Sequence, residues 1–373
     1  MKIETLQMKS NPTSLYVHIP FCRNICTYCD FKKFIYNQNR INDYFQSLFF
    51  DLSRYENRTY KTIYIGGGTP SSLNINQLEK LLSYLNTNFY KKDIPFTIEA
   101  NCENLNEEKI ILFNKYGVNR VSLGVQSFND ELIKRMNRKH NFDMVVNTIS
   151  LLKKHHIDNI SCDLIYGLPN ETKKILLDDI KKLINLDIKH ISTYALQVSK
   201  HTVFYNQKIK EASEDKYREF YDLIVEELFK NGFSRYEVSN FSKPGYESFH
   251  NLIYWLNKEY YGVGLGASSY IDSVRFDNTK SLNKYLTGER VLNIEELDIE
   301  DKEFYELMLG LRLSKGINID EFNNKYNKDI LLDYKDKLDS LFNRGLIELK
   351  NNHIRITENN VFIMDYVLKE LLF

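Results

Sequence analysis

The sequence predicts an α/β protein: an incomplete parallel (β/α)6 barrel followed by a smaller C-terminal α+β, winged-helix-like domain. Three observations predict it. Short apolar strands alternate with helical stretches of roughly 10–15 residues from Leu15 onward. That alternation stops after about residue 278. Three helices and a hairpin then follow. Parallel strands need helical crossovers, and the number of βα units before residue 240 suits a partial or complete barrel better than a short open sheet.

The elements read in order. Leu15–Ile19 (LYVHI) is a strand and Arg40–Tyr55 a helix. Thr62–Ile65 is a strand that runs into Gly66-Gly67-Gly68, and Asn76–Leu85 is a helix. Phe96–Ala100 is a strand, and Glu107–Tyr116 is a helix closed by Gly117. Arg120–Gly124 is a strand, with helical sequence from Asp130 and from Phe142 to His155. Asn159–Ile165, Lys173–Asn185 and His190–Leu196 read as strand, helix and strand. Ser213 is an N-cap with Glu214 and Asp215 in the first turn. Tyr217, Phe220, Tyr221, Ile224 and Leu228 then recur on one helical face until Lys230-Asn231-Gly232 ends it. Arg235–Val238 is a further short strand. Asp301–Leu313, Asn318–Tyr326 and Leu331–Arg344 are helical, Gly345–Lys350 and His353–Ile356 form a hairpin, and a last helix starts near Asn360. The expected division is an N-terminal tail (1–13), the partial barrel (14–240), a motif-bearing connecting segment (241–290) and the C-terminal domain (291–373).

Composition narrows the function. A hydrophobic fraction of 43% supports a sizeable core. Lys+Arg and Asp+Glu both number 50, so bulk attraction to nucleic acid is not expected. No apolar run is long enough for a membrane span, which leaves only peripheral membrane contact open. The N-terminus lacks the apolar core of a secretory signal. Five cysteines, three of them clustered, point to metal or redox chemistry in a reducing, cytoplasmic setting rather than to disulfides.

The cluster is FCRNICTYCDF, with Cys22, Cys26 and Cys29 spaced C-x3-C-x2-C just after the first strand. Three thiolates on one loop can hold three corners of a 4Fe-4S cluster and leave one iron open, as catalytic metal sites do. The competing reading is a zinc site completed by His18 or another distant ligand. Ile63–Pro70 (IYIGGGTP) places glycines at a strand end, where backbone can approach a ligand closely.

The spacing, with Tyr28 before the last cysteine, resembles the radical SAM superfamily, in which S-adenosylmethionine chelates the open iron. Further segments sharpen the likeness: YVHIPFC, IYIGGGTPSSL, TIEAN, GVNRVSLGVQSFND, DLIYGLPNET, HISTYAL, YEVSNFSKPGYESFHNLIYW and YYGVGLGASSY. Together they resemble the anaerobic coproporphyrinogen III oxidase family over most of the chain, and within it the heme chaperone HemW branch. The stretch from Glu303 to Leu372 resembles that branch's C-terminal domain.

The resemblance implies roles. Cys22, Cys26 and Cys29 would ligate the cluster. Tyr16, Tyr28, Gly67, Gly68, Thr69, Glu99, Gln126, Arg138 and Asp163 match positions that contact S-adenosylmethionine. A guanidinium suits a methionine carboxylate, and carboxylate or amide groups suit ribose hydroxyls. Taken singly, each polar residue would equally serve a barrel-end hydrogen bond. His250, Asn251, Tyr254 and Trp255 match the H-N-x-x-Y-W motif associated with heme in the chaperone branch. The bland alternative is that His250 and Asn251 pin a loop while Trp255 fills the core beneath it. Cys102 and Cys162 read as small buried hydrophobes.

Two departures separate the chain from the oxidase. Phe31 stands where the oxidase has a fourth cysteine, and only 21 residues precede Cys22. In addition, the resemblance implies that Gln197 and Ser268 stand where its second S-adenosylmethionine site has apolar residues. The resulting expectation is a protein that binds heme and passes it to an unidentified acceptor. Coproporphyrinogen decarboxylation or a radical reaction on another substrate are the rivals. Whether S-adenosylmethionine is cleaved stays open.

Overall fold

A computed structural model describes residues 12–56 and 58–372. The expected N-terminal tail therefore lies almost entirely outside the described residues. The barrel strands are β1 (Ser14–Ile19), β2 (Thr62–Gly67), β3 (Phe96–Ala100), β4 (Arg120–Gln126), β5 (Asn159–Tyr166) and β6 (His190–Ala195). They lie side by side in that order, each parallel to the next. Alternation along each strand sorts the residues. Leu15, Val17, Ile63, Ile65, Val121 and Leu123 are fully buried in the main core. Their neighbours Tyr16, Tyr64, Arg120 and Ser122 belong to the opposite, inner face. The interior of this barrel is thus unusually polar.

Helices cover the outer face. The helix Ile75–Asn88 begins at a capping box between Asn74 and Gln77 and buries Leu78, Leu81, Leu82 and Leu85. Each such burial contributes about 1.5–3 kcal/mol. The helix Lys173–Asn185 buries Leu176, Ile180 and Leu183, and with them Asp179. That carboxylate accepts from Ser127 Oγ at 2.6 Å and Phe128 N at 3.0 Å, so it holds the turn after β4. The Glu214–Lys230 helix starts at Ser213, whose side chain accepts from Lys216 N, as the sequence predicts.

The region after residue 240 departs from expectation. It is no simple connector. Asn240–Ser242 pairs antiparallel with β6, and Ser234–Arg235 pairs beside it. Tyr260–Val263 pairs parallel with β1 on its free side. Ser268–Ile271, Val274–Asn278 and Val291–Glu296 then extend the same sheet antiparallel, making it 12-stranded. Residues 291–296, expected in the C-terminal domain, are the outermost strand of the large sheet. These last three strands are short and antiparallel, and the one helix between them, Leu282–Leu286, has only five residues, so the βα rhythm that marks β1–β6 is missing here.

Beyond residue 297 the chain forms helices around a three-stranded antiparallel sheet of Ile317–Asn318, Ile347–Lys350 and His353–Ile356. The expected helix Leu331–Arg344 is broken into Ile330–Asp333 and Lys335–Asn343. The module is tied to the barrel through Tyr236. The Tyr236 carbonyl accepts from Ser314 N at 3.0 Å. Its hydroxyl lies 2.8 Å from His190 Nε2 and accepts from Ser248 N at 3.2 Å. Arg235 and Glu358 add an ion pair at 2.7 Å with the arginine side chain buried.

Candidate functional site

The cysteine loop leaves β1 and is clamped at both ends. Phe21–Cys22 pairs parallel with Phe34–Ile35, with Phe34 N donating to Pro20 O at 2.7 Å and Tyr36 N to Cys22 O at 2.8 Å. The glycine segment after β2 lies against it: Gly68 N donates to Ile19 O at 2.9 Å and Thr69 N to Phe21 O at 3.0 Å. A Cβ on Gly68 would stand 2.9 Å from Phe21 N and 3.0 Å from Cys22 Sγ, so only glycine fits this close approach. The tip of the loop rests on the MNRKH segment. Thr27 N donates to Met136 O at 3.2 Å, and Asn137 Nδ2 to Ile25 O at 2.8 Å.

Cys22 is buried, Cys26 and Cys29 are half-buried, and none is in a disulfide. Burial pushes the Cys22 thiol up to about 11 and raises that of Cys29. Thr69 Oγ1 donates to Cys22 Sγ at 3.3 Å, and Arg138 Nη1 faces Cys26 Sγ at 3.9 Å. An all-sulfur donor set with hydrogen-bond donors behind it fits an iron–sulfur cluster, whose positive irons would draw the thiols into thiolates. His18 does not complete a zinc site: its Nδ1 meets the Tyr16 hydroxyl at 3.0 Å and its ring lies under Gly67. Among the described residues no three His, Cys, Asp or Glu side chains gather around a single ion position.

From the loop a cleft of about 650 Å³ runs into the barrel mouth. Cys22, Cys26, Tyr28 and Cys29 line one wall, and Gly67, Gly68 and Thr69 line the adjoining one. Glu99, Gln126, Arg138 and Asp163 complete the lining expected from the sequence. Each is held differently. Glu99 accepts from Tyr64 and from Gly67 N, both at 2.9 Å, and its depth pushes its carboxyl up to about 7. Asp163 accepts from Ser122 Oγ at 3.3 Å and is raised by burial as well. Gln126 has a left-handed φ of 69° where the β4–β5 register slips, which turns its side chain toward the cleft. Arg138, 5% exposed, pairs with Glu103 at 3.5 Å and donates to the Gly124 carbonyl. Among the described residues the Nε atoms of Arg138 and Arg120 are buried without a partner, so both cations keep donor capacity. These features fit a zwitterionic, hydroxyl-bearing ligand such as S-adenosylmethionine.

Other expected residues lie elsewhere. Tyr16 sits one layer deeper, its ring 6.0 Å from that of Tyr64 and 6.4 Å from that of His250. His250, 2% exposed, is turned into the barrel floor. Its Nε2 meets the Tyr254 hydroxyl at 2.7 Å and its Nδ1 meets Thr62 Oγ1 at 3.4 Å. Tyr254 in turn packs on Tyr260. Trp255 is half-buried with Arg312 6.0 Å above its ring. Of the four motif residues, Asn251 alone lines the cleft.

The sequence reading missed Asn101, Arg120, Tyr194, Val361 and Phe362, all of which line the cleft. Arg120 was detectable: it alternates with Ser122, Gly124 and Gln126 along a strand whose intervening residues, Val121, Leu123 and Val125, are aliphatic. Val361 and Phe362 come from the C-terminal module and carried no such signal.

A three-cysteine loop at the mouth of an incomplete parallel barrel, faced by a glycine segment, defines a radical SAM protein. Residues 16–186 match the Radical SAM superfamily, and residues 297–363 match the HemN C-terminal domain. The chain is 39% identical over 369 residues to "Heme chaperone HemW" of Lactococcus lactis subsp. lactis (strain IL1403), covering 95% of this chain and 97% of that protein. It is 34% identical to the protein of that name from Bacillus subtilis (strain 168), covering 96% and 99%. Within the radical SAM superfamily, the chain belongs to the HemW family. Its fold is similar to that of coproporphyrinogen III oxidase (HemN) from Escherichia coli, with a TM-score of 0.86, 21% identity, and coverage of 97% of this chain and 90% of that one.

Proposed function

We propose that this chain is a cytoplasmic heme chaperone that carries a 4Fe-4S cluster and S-adenosylmethionine, binds heme, and passes it to an acceptor protein. Kinship along nearly the whole length with proteins named heme chaperone carries the heme part of this reading. Phe31, 65% exposed on the cleft wall in place of a fourth cysteine, weighs against the oxidase.

Cys22, Cys26 and Cys29 would hold the cluster. Gly67, Gly68 and Thr69 would offer backbone and hydroxyl to S-adenosylmethionine. Arg138 suits its carboxylate, Glu99 its cationic groups, and Gln126 and Asp163 its ribose. Tyr28 would pack beside it, while Tyr16 would act from the layer beneath. When bound and reduced, the two cofactors supply radical chemistry. Val361 and Phe362 of the C-terminal module add apolar surface to the lining of the cleft. A thiol-ligated cluster also suits a reducing compartment.

Heme contact falls to the Phe249–Trp255 helix in this reading, with Asn251 facing the cleft and Trp255 partly exposed. Ligation of heme iron by His250 requires freeing one ring nitrogen, either Nε2 from Tyr254 or Nδ1 from Thr62. The test is anaerobic reconstitution followed by heme titration of the wild type, His250→Ala and Cys22→Ala. Saturable heme binding without decarboxylated product from coproporphyrinogen, S-adenosylmethionine and reductant supports the chaperone. Product without heme binding makes the protein an oxidase despite Phe31. A specific reaction on a third substrate without heme binding sinks both.

A further inference from the structure

We propose that Lys33 tunes the cysteine-bound cluster: its ammonium, fixed on the cluster loop, stabilises the reduced state that holds one more electron. This rests on the cluster reading above. The three thiols do not have equivalent surroundings. Cys22 has a neutral hydroxyl donor in Thr69, at 3.3 Å, and Cys26 faces the Arg138 guanidinium at 3.9 Å. At Cys29 the nearby cation is Lys33. Its Nζ donates to the Cys29 carbonyl at 2.5 Å and to the Phe31 carbonyl at 3.1 Å. The side chain is half-buried and lines the cleft. Cys22 and Cys29 line the same cleft.

Asp30, the acid of the same loop, lines the same cleft but accepts from Ser199 Oγ at 3.0 Å and forms no ion pair with Lys33 among the described residues. Two backbone carbonyls hold the ammonium in one place, so little ordering entropy opposes its effect. One-electron reduction adds one negative charge and breaks no bond. A fixed cation beside the ligating sulfur favours that more negative state, most strongly where protein replaces water. Arg138 acts likewise from the opposite side but is committed to Glu103 at 3.5 Å. The hydrogen bonds of Lys33 go to carbonyls and carry no such counter-charge.

The experiment compares wild type, Lys33→Gln and Lys33→Arg after anaerobic reconstitution. Iron and sulfide content reports assembly. An EPR-monitored dithionite titration reports the midpoint potential. The expected result is that Lys33→Gln holds a cluster at a lower potential while Lys33→Arg stays near wild type. A wild-type potential in Lys33→Gln overturns the proposal. Loss of the cluster from both variants alike also overturns it, since Lys33 would then be holding the loop's shape. A wild-type protein that takes up no cluster at all removes the cluster reading first, and this proposal with it.

Discussion

The Tyr64 hydroxyl donates to Glu99 Oε1 while the Gly67 N–H donates to Oε2 of the same carboxylate, both at 2.9 Å. Two donors thus fix a carboxyl that burial pushes up to about 7. Its protonation state consequently changes near neutral pH. The ionised form is the one that attracts a sulfonium or ammonium group. S-adenosylmethionine binding should tighten about tenfold between pH 6 and pH 8. Glu99→Gln should bind weakly with a flat profile. Calorimetric titration across that range decides it, and a flat wild-type profile would count against this role.

The same shift has the opposite consequence for the cofactor-free fold. A carboxyl whose pKa is raised on folding stabilises the folded state at low pH and loses that contribution as pH rises through about 7. Without ligand, Glu99→Gln should therefore be more stable than wild type at pH 8 by about 1–2 kcal/mol, an allowance made for the carboxylate's exposure to the cleft. The gap should close at pH 4, below the carboxyl's ordinary value. Urea melts at both pH values measure it.

His250 is neutral and enclosed, with burial holding its imidazole down to about 3. Its contribution is present above the usual 6.5 and declines as pH falls, by up to about 1.4 kcal/mol per unit. His250→Ala removes the ring and leaves the Tyr254 hydroxyl unpaired, at about 2–4 kcal/mol near neutral pH. Tyr254→Phe should lose about 1 kcal/mol. A His250→Ala protein that melts like wild type would show that this ring is not part of the barrel floor.

The five cysteines should divide three and two. Alanine at Cys22, Cys26 or Cys29 should abolish the absorption of a reconstituted cluster. Alanine at Cys102 or Cys162, both buried in the main core, should retain it and cost about 1–2 kcal/mol of stability. Iron analysis beside a thermal melt separates the two effects.

Phe31→Cys restores the fourth cysteine of the oxidase pattern on an exposed position. Stability should change by less than about 0.5 kcal/mol. No coproporphyrinogen decarboxylation should appear, because the polar Gln197, which also lines the cleft, is unchanged in this variant. Decarboxylated product from this variant would mean that a single side chain separates the two activities.

Much of the fold was legible where periodicity is strong. The β1–β6 strands alternate with amphipathic helices, and the Lys173–Asn185 and Glu214–Lys230 helices fall where capping and spacing predict. The sheet extension was not legible, because Tyr260–Val263 joins β1 across more than 200 residues of chain, and no local pattern encodes a partner that distant. The cleft was legible where motifs end strands, as at Gly67 and Glu99. It was not legible where another module supplies the wall, as at Phe362. For His250, the motif gave the position in the chain but not the direction in which the ring points.

The pairing of Phe21–Cys22 with Phe34–Ile35 also bears on how long the molecule lasts. The stretch between them is tied off by protein hydrogen bonds alone, so its closure entropy is met during folding rather than when iron arrives. Oxygen that strips the cluster therefore leaves a shaped receptacle instead of an unravelled segment. Refilling such a receptacle would call for iron and sulfide alone, with no refolding of the segment that holds them.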